Sequence, residues 1–267
     1  MSFLGDITIG QYYPAESVVH RLDPRTKITL TMVMVTAVFL APDFWAQGSL
    51  AILTLLMVKV SGVPLSYLFR GLRPILIILA FTFVLNALMI PGAELARIGP
   101  LSISQPGVLM GLLLAIRLIL LVAIASLLSL TTTPIDLTDG LEQILSPFRR
   151  LGVPAHELAM MMSIALRFVP TLLEEAEKII KAQMARGADF ESGNVIQRAR
   201  AMVPVLVPLF VGAFRRADEL ALAMEARCYR GGYQRTRLKQ LRFGTHDLMA
   251  GCAGVLLLLV LFLWRWW

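Results

Sequence analysis

The chain has 267 residues, 57% hydrophobic and 16% charged, with 25 Lys and Arg against 18 Asp and Glu for a net charge of +7. Soluble domains are about 45–50% apolar and about 25% charged, so a disordered chain is excluded and a polypeptide that lives in a bilayer is expected rather than an ordinary soluble enzyme. Cys228 and Cys252 fall in separate segments and His20, His156 and His246 are scattered, which leaves neither a disulfide framework nor a zinc spacing.

The N-terminal stretch has no basic region running straight into an apolar one, so no cleaved signal peptide is expected and the first hydrophobic helix should act as a retained anchor. A hydrocarbon core of about 30 Å needs roughly 20 helical residues, about 17 at the least. Five apolar runs come near that length or exceed it, the first and last of them one residue short of it. The first is residues 26–41, closed by Pro42 and Asp43. The second, 44–60, carries Lys59 at its end, where a long side chain reaches the headgroups. The third, 74–90, opens on Pro74, a residue suited to a first helical turn, and holds Asn86. The fourth, 107–131, has Arg117 near its middle, and the fifth, 248–263, ends in Trp264, Arg265, Trp266 and Trp267, an aromatic-belt composition. The expectation is an all-α polytopic membrane protein: residues 1–131 with four spans, a cytoplasmic helical domain over 132–246, and a fifth span over 247–267.

Orientation follows from the short loops. Arg21, Arg25, Lys27, Arg70 and Arg73 flank one side and Arg97 alone the other, so the N-terminus is expected in the cytoplasm and the C-terminus outside the cell membrane. The 132–246 segment shares the basic side and concentrates 16 of the 25 cations.

Within that segment the periodicity is helical. Leu172, Leu173, Ala176, Ile179, Ile180 and Met184 form one apolar stripe. Glu174 with Lys178 and Glu177 with Lys181 make i, i+4 pairs opposite it. A second stripe runs through Phe210, Ala213, Phe214, Ala217, Leu220, Ala221 and Met224, with Arg215 and Glu219 as its pair. Met160, Met161 and Met162 fit either ordinary helix packing or an adaptable partner-binding surface. Residues 201–214 are apolar but short and hold Pro204 and Pro208. Two prolines strip donors that lipid cannot replace, so a separate helix lying along the membrane surface or the bundle floor is expected there.

Both amphipathic helices end alike, Ala185-Arg186-Gly187 and Ala226-Arg227-Cys228, 41 positions apart. A cation in the last turn followed by a small residue is favourable for any helix end. The duplication also fits two similar partner subunits, each receiving one guanidinium, whose planar fork suits a carboxylate at a desolvated contact.

Together these residues resemble the transmembrane T component of energy-coupling factor (ECF) transporters, the ABC-type importers of vitamins and of nickel or cobalt. The resemblance spans nearly the whole chain. It rests on His20-Arg21-Leu22-Asp23-Pro24-Arg25-Thr26-Lys27, on residues 166–170 (Leu-Arg-Phe-Val-Pro), on the context before Arg186, and on the two helix ends. It implies a non-catalytic subunit that joins one substrate-binding S component to two cytoplasmic ATPases, which hold the ATP and Mg. It further implies that Arg186 and Arg227 sit in one ATPase groove each, with Ala185, Gly187, Ala226 and Cys228 beside them. Cys228 departs from the family's usual glycine. The Met160–Met162 run and Arg117 would contact the S component or the bundle. Vitamin uptake is the expected task, a dedicated cobalt or nickel importer the alternative, and nucleic acid is no expected partner.

Three further groups keep two readings each. Arg117 either makes a polar contact inside the protein, with Asn86 as a partner, or lies nearer an interface. Asp23, Arg25 and Lys27 either anchor the chain on the positive side or fix the height of the coupling domain. Arg149, Arg150, Arg215, Arg216, Arg235, Arg237, Lys239 and Arg242 either meet lipid phosphates or solvate the domain. Asp136, Asp139 and Glu142, after Thr133 and Pro134, read as a helix start. An intramembrane enzyme would need paired carboxylates, histidine clusters or a Ser/His arrangement at bilayer depth. The spans offer little beyond Arg117 and Lys59, and no GxxxxGK[ST] phosphate loop occurs in the chain.

Overall fold

A computed structural model describes residues 12–98, 101–190, 192, 194–231, 241 and 243–266. Arg235, Arg237, Lys239, Arg242 and Trp267 lie outside these, as does the N-terminal stretch before Tyr12. The elements in order are α1 (Val18–Arg21), α2 (Pro24–Leu40), α3 (Phe44–Ser61), α4 (Leu65–Leu72), α5 (Leu76–Met89), strands β1 (Glu94–Ile98) and β2 (Leu101–Ser104), α6 (Gln105–Thr131), α7 (Pro134–Leu145), α8 (Ala155–Ala185), α9 (Val195–Ala226) and α10 (Thr245–Trp266). The chain is an all-α multi-pass membrane protein whose one sheet is the β1–β2 antiparallel hairpin, among the described residues.

Six described helices are long and apolar enough to cross a membrane: Phe44–Ser61, Leu65–Met89, Gln105–Thr131, Ala155–Ala185, Val195–Ala226 and Thr245–Trp264. Four of them hold the second to fifth expected spans. The first expected span is α2, a 17-residue helix. The third begins earlier than expected: a 3-10 turn at Arg73–Ile75 takes Pro74 in its first turn and joins α4 to α5, so the proline sits where its missing N–H costs nothing. The remaining two of the six are α8 and α9.

The largest correction concerns α9. Residues 201–214 are not a separate surface helix. Pro204 and Pro208 lie inside one 32-residue helix, just as Pro170 lies inside the 31-residue α8. Each proline removes one backbone donor, while the turns on either side keep their own ladders. An N-terminal capping box, with Asn194 and Gln197 bonded reciprocally, starts α9 well before the prolines.

Contacts divide the chain into two compact units. One contains the described residues up to Leu141 together with those from Leu241 onward; the other is the insert from Glu142 to Gly231. In the first, Met34, Ala37, Val38 and Ala41 of α2 and its C-cap pack against Ala46 and Leu50 of α3, Leu120 and Ile124 of α6, and Leu261 of α10. Small residues at these contacts let backbones approach, the main packing device where lipid is as apolar as the core. α5 and α6 approach closely at two glycines. A Cβ on Gly107 would stand 2.5 Å from the Asn86 carbonyl oxygen, and one on Gly111 3.1 Å from that of Phe83. This Gly-x-x-x-Gly pair is therefore a packing requirement.

The 20–27 motif is a buried polar knot. The Asp23 side chain caps α2 by accepting from Arg25 N–H at 2.9 Å, and the Asp23 N–H donates to Asp247 Oδ1 at 2.8 Å. Arg25 bonds both Asp23 oxygens, donates to the Leu241 carbonyl at 3.0 Å and lies 4.3 Å from the Phe243 ring centroid. Lys27, buried, donates from Nζ to the His20 carbonyl (3.0 Å) and the Thr131 carbonyl (2.9 Å). One motif thus ties the start of α2 to the end of α6 and to the residues entering α10. It does more than mark the basic side.

Arg117 lies well inside α6 and donates from Nη2 to the Ala41 carbonyl at 3.2 Å. Asn86 is not its partner; the Asn86 amide donates to its own helix at the Thr82 carbonyl. The guanidinium occupies the carboxyl end of α2, where the helix dipole favours a cation. Fourteen residues separate Lys27 from Ala41 on one helix and Arg117 from Thr131 on the other, so α2 and α6 run antiparallel in register. Thr133 caps α7 as expected: its hydroxyl accepts from the Asp136 N–H and donates to the Asp136 carboxylate.

Candidate functional site: two arginine-capped helix ends

The insert unit is built on α8 and α9. Ile164, Phe168 and Leu172 of α8 and Ala213, Ala217 and Leu220 of α9 line an apolar groove of about 300 Å³. At its edge Arg216 Nη2 bonds Glu175 Oε2 at 2.6 Å, a bridge between the helices with each side chain about one-third exposed. Tyr229, just past α9, meets His156 at the start of α8, and Arg216 meets Glu175 further along α8, so the helices run antiparallel. The pair Arg215–Glu219 (3.7 Å) and the pair Glu177–Lys181 (3.6 Å) lie along single helices, as their spacing implies.

Both helices finish in the same backbone figure. On α8, the Gly187 N–H reaches the Met184 carbonyl (2.9 Å) and the Ala188 N–H the Gln183 carbonyl (3.0 Å). On α9, the Cys228 N–H reaches the Glu225 carbonyl (2.8 Å) and the Tyr229 N–H the Met224 carbonyl (3.0 Å). These are two Schellman closures with an arginine as the C-cap residue in each. Arg186 sits at φ −88°, ψ 6° and Arg227 at φ −90°, ψ 12°. The next residue is left-handed in both, Gly187 at φ 87° and Cys228 at φ 54°. The departure at Cys228 therefore leaves the geometry of the second end matching the first. The difference is that Cys228 carries a Cβ at a positive φ, which costs on the order of 1 kcal/mol. Cys228→Gly should raise the thermal stability of the purified protein by about 1 kcal/mol with transport unchanged; a fall in melting temperature would contradict this reading of the turn.

Arg186 and Arg227 are both exposed, and among the described residues neither has a carboxylate partner. Because α8 and α9 are antiparallel, the two ends point away from each other. On the order of 40 Å of helix separates them at about 1.5 Å per residue. The spacing of 41 in sequence thus becomes a wide separation in space, and one socket cannot hold both. The Met run divides by exposure, with Met160 partly buried and Met161 and Met162 exposed at 55% and 41%. Arg117 belongs to the other compact unit.

Three residues were missed in the sequence reading. His156 Nδ1 lies 3.0 Å from Glu142 Oε1, and the Tyr229 hydroxyl lies 3.3 Å from His156 Nε2. Their separations of 14 and 73 positions carry no periodic signal. The Glu175–Arg216 bridge was invisible for the same reason.

His20, ahead of α2, closes the described N-terminal segment: Nε2 lies 3.0 Å from the Tyr13 carbonyl and Nδ1 2.7 Å from the Ser17 hydroxyl. The carbonyl can only accept, so Nε2 carries the proton and Nδ1 accepts from Ser17. Burial pushes the imidazole pKa below its ordinary value, against the Tyr13 bond, and the Lys27 charge pushes the same way. The unfolded chain takes up this proton first as pH drops below about 6.5, so stability is full above that point and is lost as pH falls toward the folded pKa. Amide exchange over residues 12–22 should accelerate between pH 7.5 and 5.5 beyond the intrinsic pH effect, and His20→Gln should abolish the difference. Equal protection at both pH values would contradict it.

A family model described as cobalt transport protein (CbiQ) matches residues 15–238. A protein of Thermosediminibacter oceani named energy-coupling factor transporter transmembrane protein EcfT is 59% identical over 252 residues, covering 94% of this chain and 95% of the relative. Proteins of the same name from Ruminiclostridium cellulolyticum (54% identical, 91% of each chain covered) and Bacillus subtilis (48% identical, covering 98% of this chain and 99% of the relative) extend the likeness over almost all of its length. The chain belongs to the EcfT family of energy-coupling factor transporter transmembrane proteins.

Proposed function

We propose that this chain is the coupling subunit of an ECF importer: it binds two cytoplasmic ATPases through Arg186 and Arg227 and passes their ATP-driven motion to an S component that carries a vitamin. The observation that carries this reading is the pair of matching arginine-capped closures at opposite ends of the α8–α9 pair. Two like ends call for two like sockets, and an exposed guanidinium without a carboxylate partner among the described residues is available to take one bidentately. ATP and Mg belong to the partner ATPases, and this chain does no catalysis. When nucleotide binding changes the distance between the two sockets, it slides or rotates the rigid rods that end in them.

The apolar faces of α8 and α9 support the second half of the reading. Phe210, Phe214 and Leu222 are exposed at 62%, 70% and 65%, a surface that calls for a membrane or protein partner. Met161 and Met162 add adaptable contact area for an S component. The bias of Arg and Lys in the short loops supports an N-terminus in the cytoplasm and a C-terminus outside.

A cobalt cargo is the second reading, favoured by the description of the matching family model. Purification of the tagged chain in mild detergent separates the outcomes. Recovery of two ATPase subunits with one small membrane subunit supports the coupling role. A partner that binds a vitamin supports the first cargo, one that binds cobalt the second. Recovery without any ATPase would end the proposal.

A further inference from the structure

The two arginine ends share a backbone but differ one residue beyond the left-handed position. At the α8 end that residue is Ala188, whose methyl can form no hydrogen bond. At the α9 end it is Tyr229, and its hydroxyl lies 3.3 Å from His156 Nε2 at the start of α8, while His156 Nδ1 lies 3.0 Å from Glu142 Oε1 near the end of α7. The His156 and Glu142 side chains are 15% and 13% exposed. A half-buried chain of this kind resists opening because each member that separates must be re-solvated.

We infer that Glu142, His156 and Tyr229 form a latch that fixes the Arg227 end of α9 to the base of α8, a tie that the Arg186 end lacks among the described residues. This rests on the proposed seating of the two arginines and adds that the two seats are mechanically unequal. The chemistry is consistent along the relay. The carboxylate accepts from Nδ1–H, which sets the tautomer, and Nε2 then accepts from the tyrosine hydroxyl. An ATPase holding Arg227 therefore moves α9 together with the start of α8, whereas one holding Arg186 pulls on the end of α8 alone. The three are positioning residues for Arg227.

The test uses the complete complex in lipid nanodiscs, with Cys228→Gly and Cys252→Ala removing the native thiols and spin labels at positions 157 and 230, both exposed. The wild-type latch gives one narrow distance distribution that does not change when ATP and vanadate are added. Tyr229→Phe, which removes a single oxygen, should broaden it about twofold and raise the open population about fivefold, the weight of one net hydrogen bond. Glu142→Gln keeps an acceptor for Nδ1–H and should keep the narrow distribution, while Glu142→Met, of similar length but without an oxygen, should not. A merely packing role would not separate those two variants. An unchanged distribution in Tyr229→Phe, or a Glu142→Gln variant as broad as Glu142→Met, overturns the latch. Arg227→Ala should release an ATPase without moving the distribution; retention of both ATPases by that variant would instead count against the docking role and leave the latch measured on its own.

Discussion

Replacing both Arg186 and Arg227 with alanine should strip the ATPases from the complex and abolish ATP-driven uptake, while the protein still reaches the membrane at the wild-type level. Both side chains are exposed and unpaired among the described residues, so their loss leaves the folded chain intact. Each seated guanidinium lost from a desolvated contact should cost about 2–5 kcal/mol, so two together reach a loss of many orders of magnitude in retention at about 1.4 kcal/mol per factor of ten. The single variants should each weaken but not end co-purification. Neither closure should melt, because the Schellman bonds are backbone to backbone and alanine is a good helix-end residue apart from charge. Co-purification of both ATPases with the double variant at full yield would refute the assignment.

Lys27→Met should have the opposite signature, a loss of folded protein rather than of partners. Lys27 is 7% exposed and its ammonium holds two carbonyls, one ending α1 and one ending α6. Asp23 and Asp247 stand close by in the same knot, both buried. Taking away a buried cation leaves carboxylates and carbonyls without it, a change on the order of 3–5 kcal/mol. Lys59→Met, at an exposed position on α3, should stay within about 0.5 kcal/mol and serves as the control. The check is thermal unfolding of the purified protein and its yield from membranes. Equal melting of the Lys27 and Lys59 variants would show that the knot holds nothing together.

The contrast between these two variants reflects what was legible before the fold. Long apolar runs announce themselves by composition, so the second to fifth spans fall where the hydropathy placed them. Their ends do not follow, since α4 joins α5 through a 3-10 turn at Pro74 and no single-residue signal marks that continuity. The prolines at 204 and 208 misled for a physical reason. A proline's local cost is fixed, but a 32-residue helix with a good N-terminal box has ladder enough on both sides to carry it. The repeat Ala-Arg-small was visible as a pattern, and the structure adds that Cys228 accepts the left-handed turn that glycine would take freely.

Long-range pairs were the least legible. Asp23 to Asp247 spans 224 positions, His156 to Tyr229 spans 73 and Arg117 to Ala41 spans 76. Nothing in local periodicity links such residues; the packing of α10 on α2 and the antiparallel registers of α2 with α6 and of α8 with α9 bring them together. The Arg117 case shows the consequence. The sequence offered Asn86 as the polar neighbour, yet the bond goes to a helix-end carbonyl that any residue could have supplied.

Site-specific photocrosslinking from residues 187 and 228, in the assembled complex within native membranes, tests the coupling role most directly. If the two helix ends seat in two ATPases, each position should yield an adduct with one nucleotide-binding subunit, and both adducts should vanish in the Arg186→Ala, Arg227→Ala variant. Adducts to lipid or to no protein at both positions, with the ATPases captured instead from another part of the chain, would contradict it.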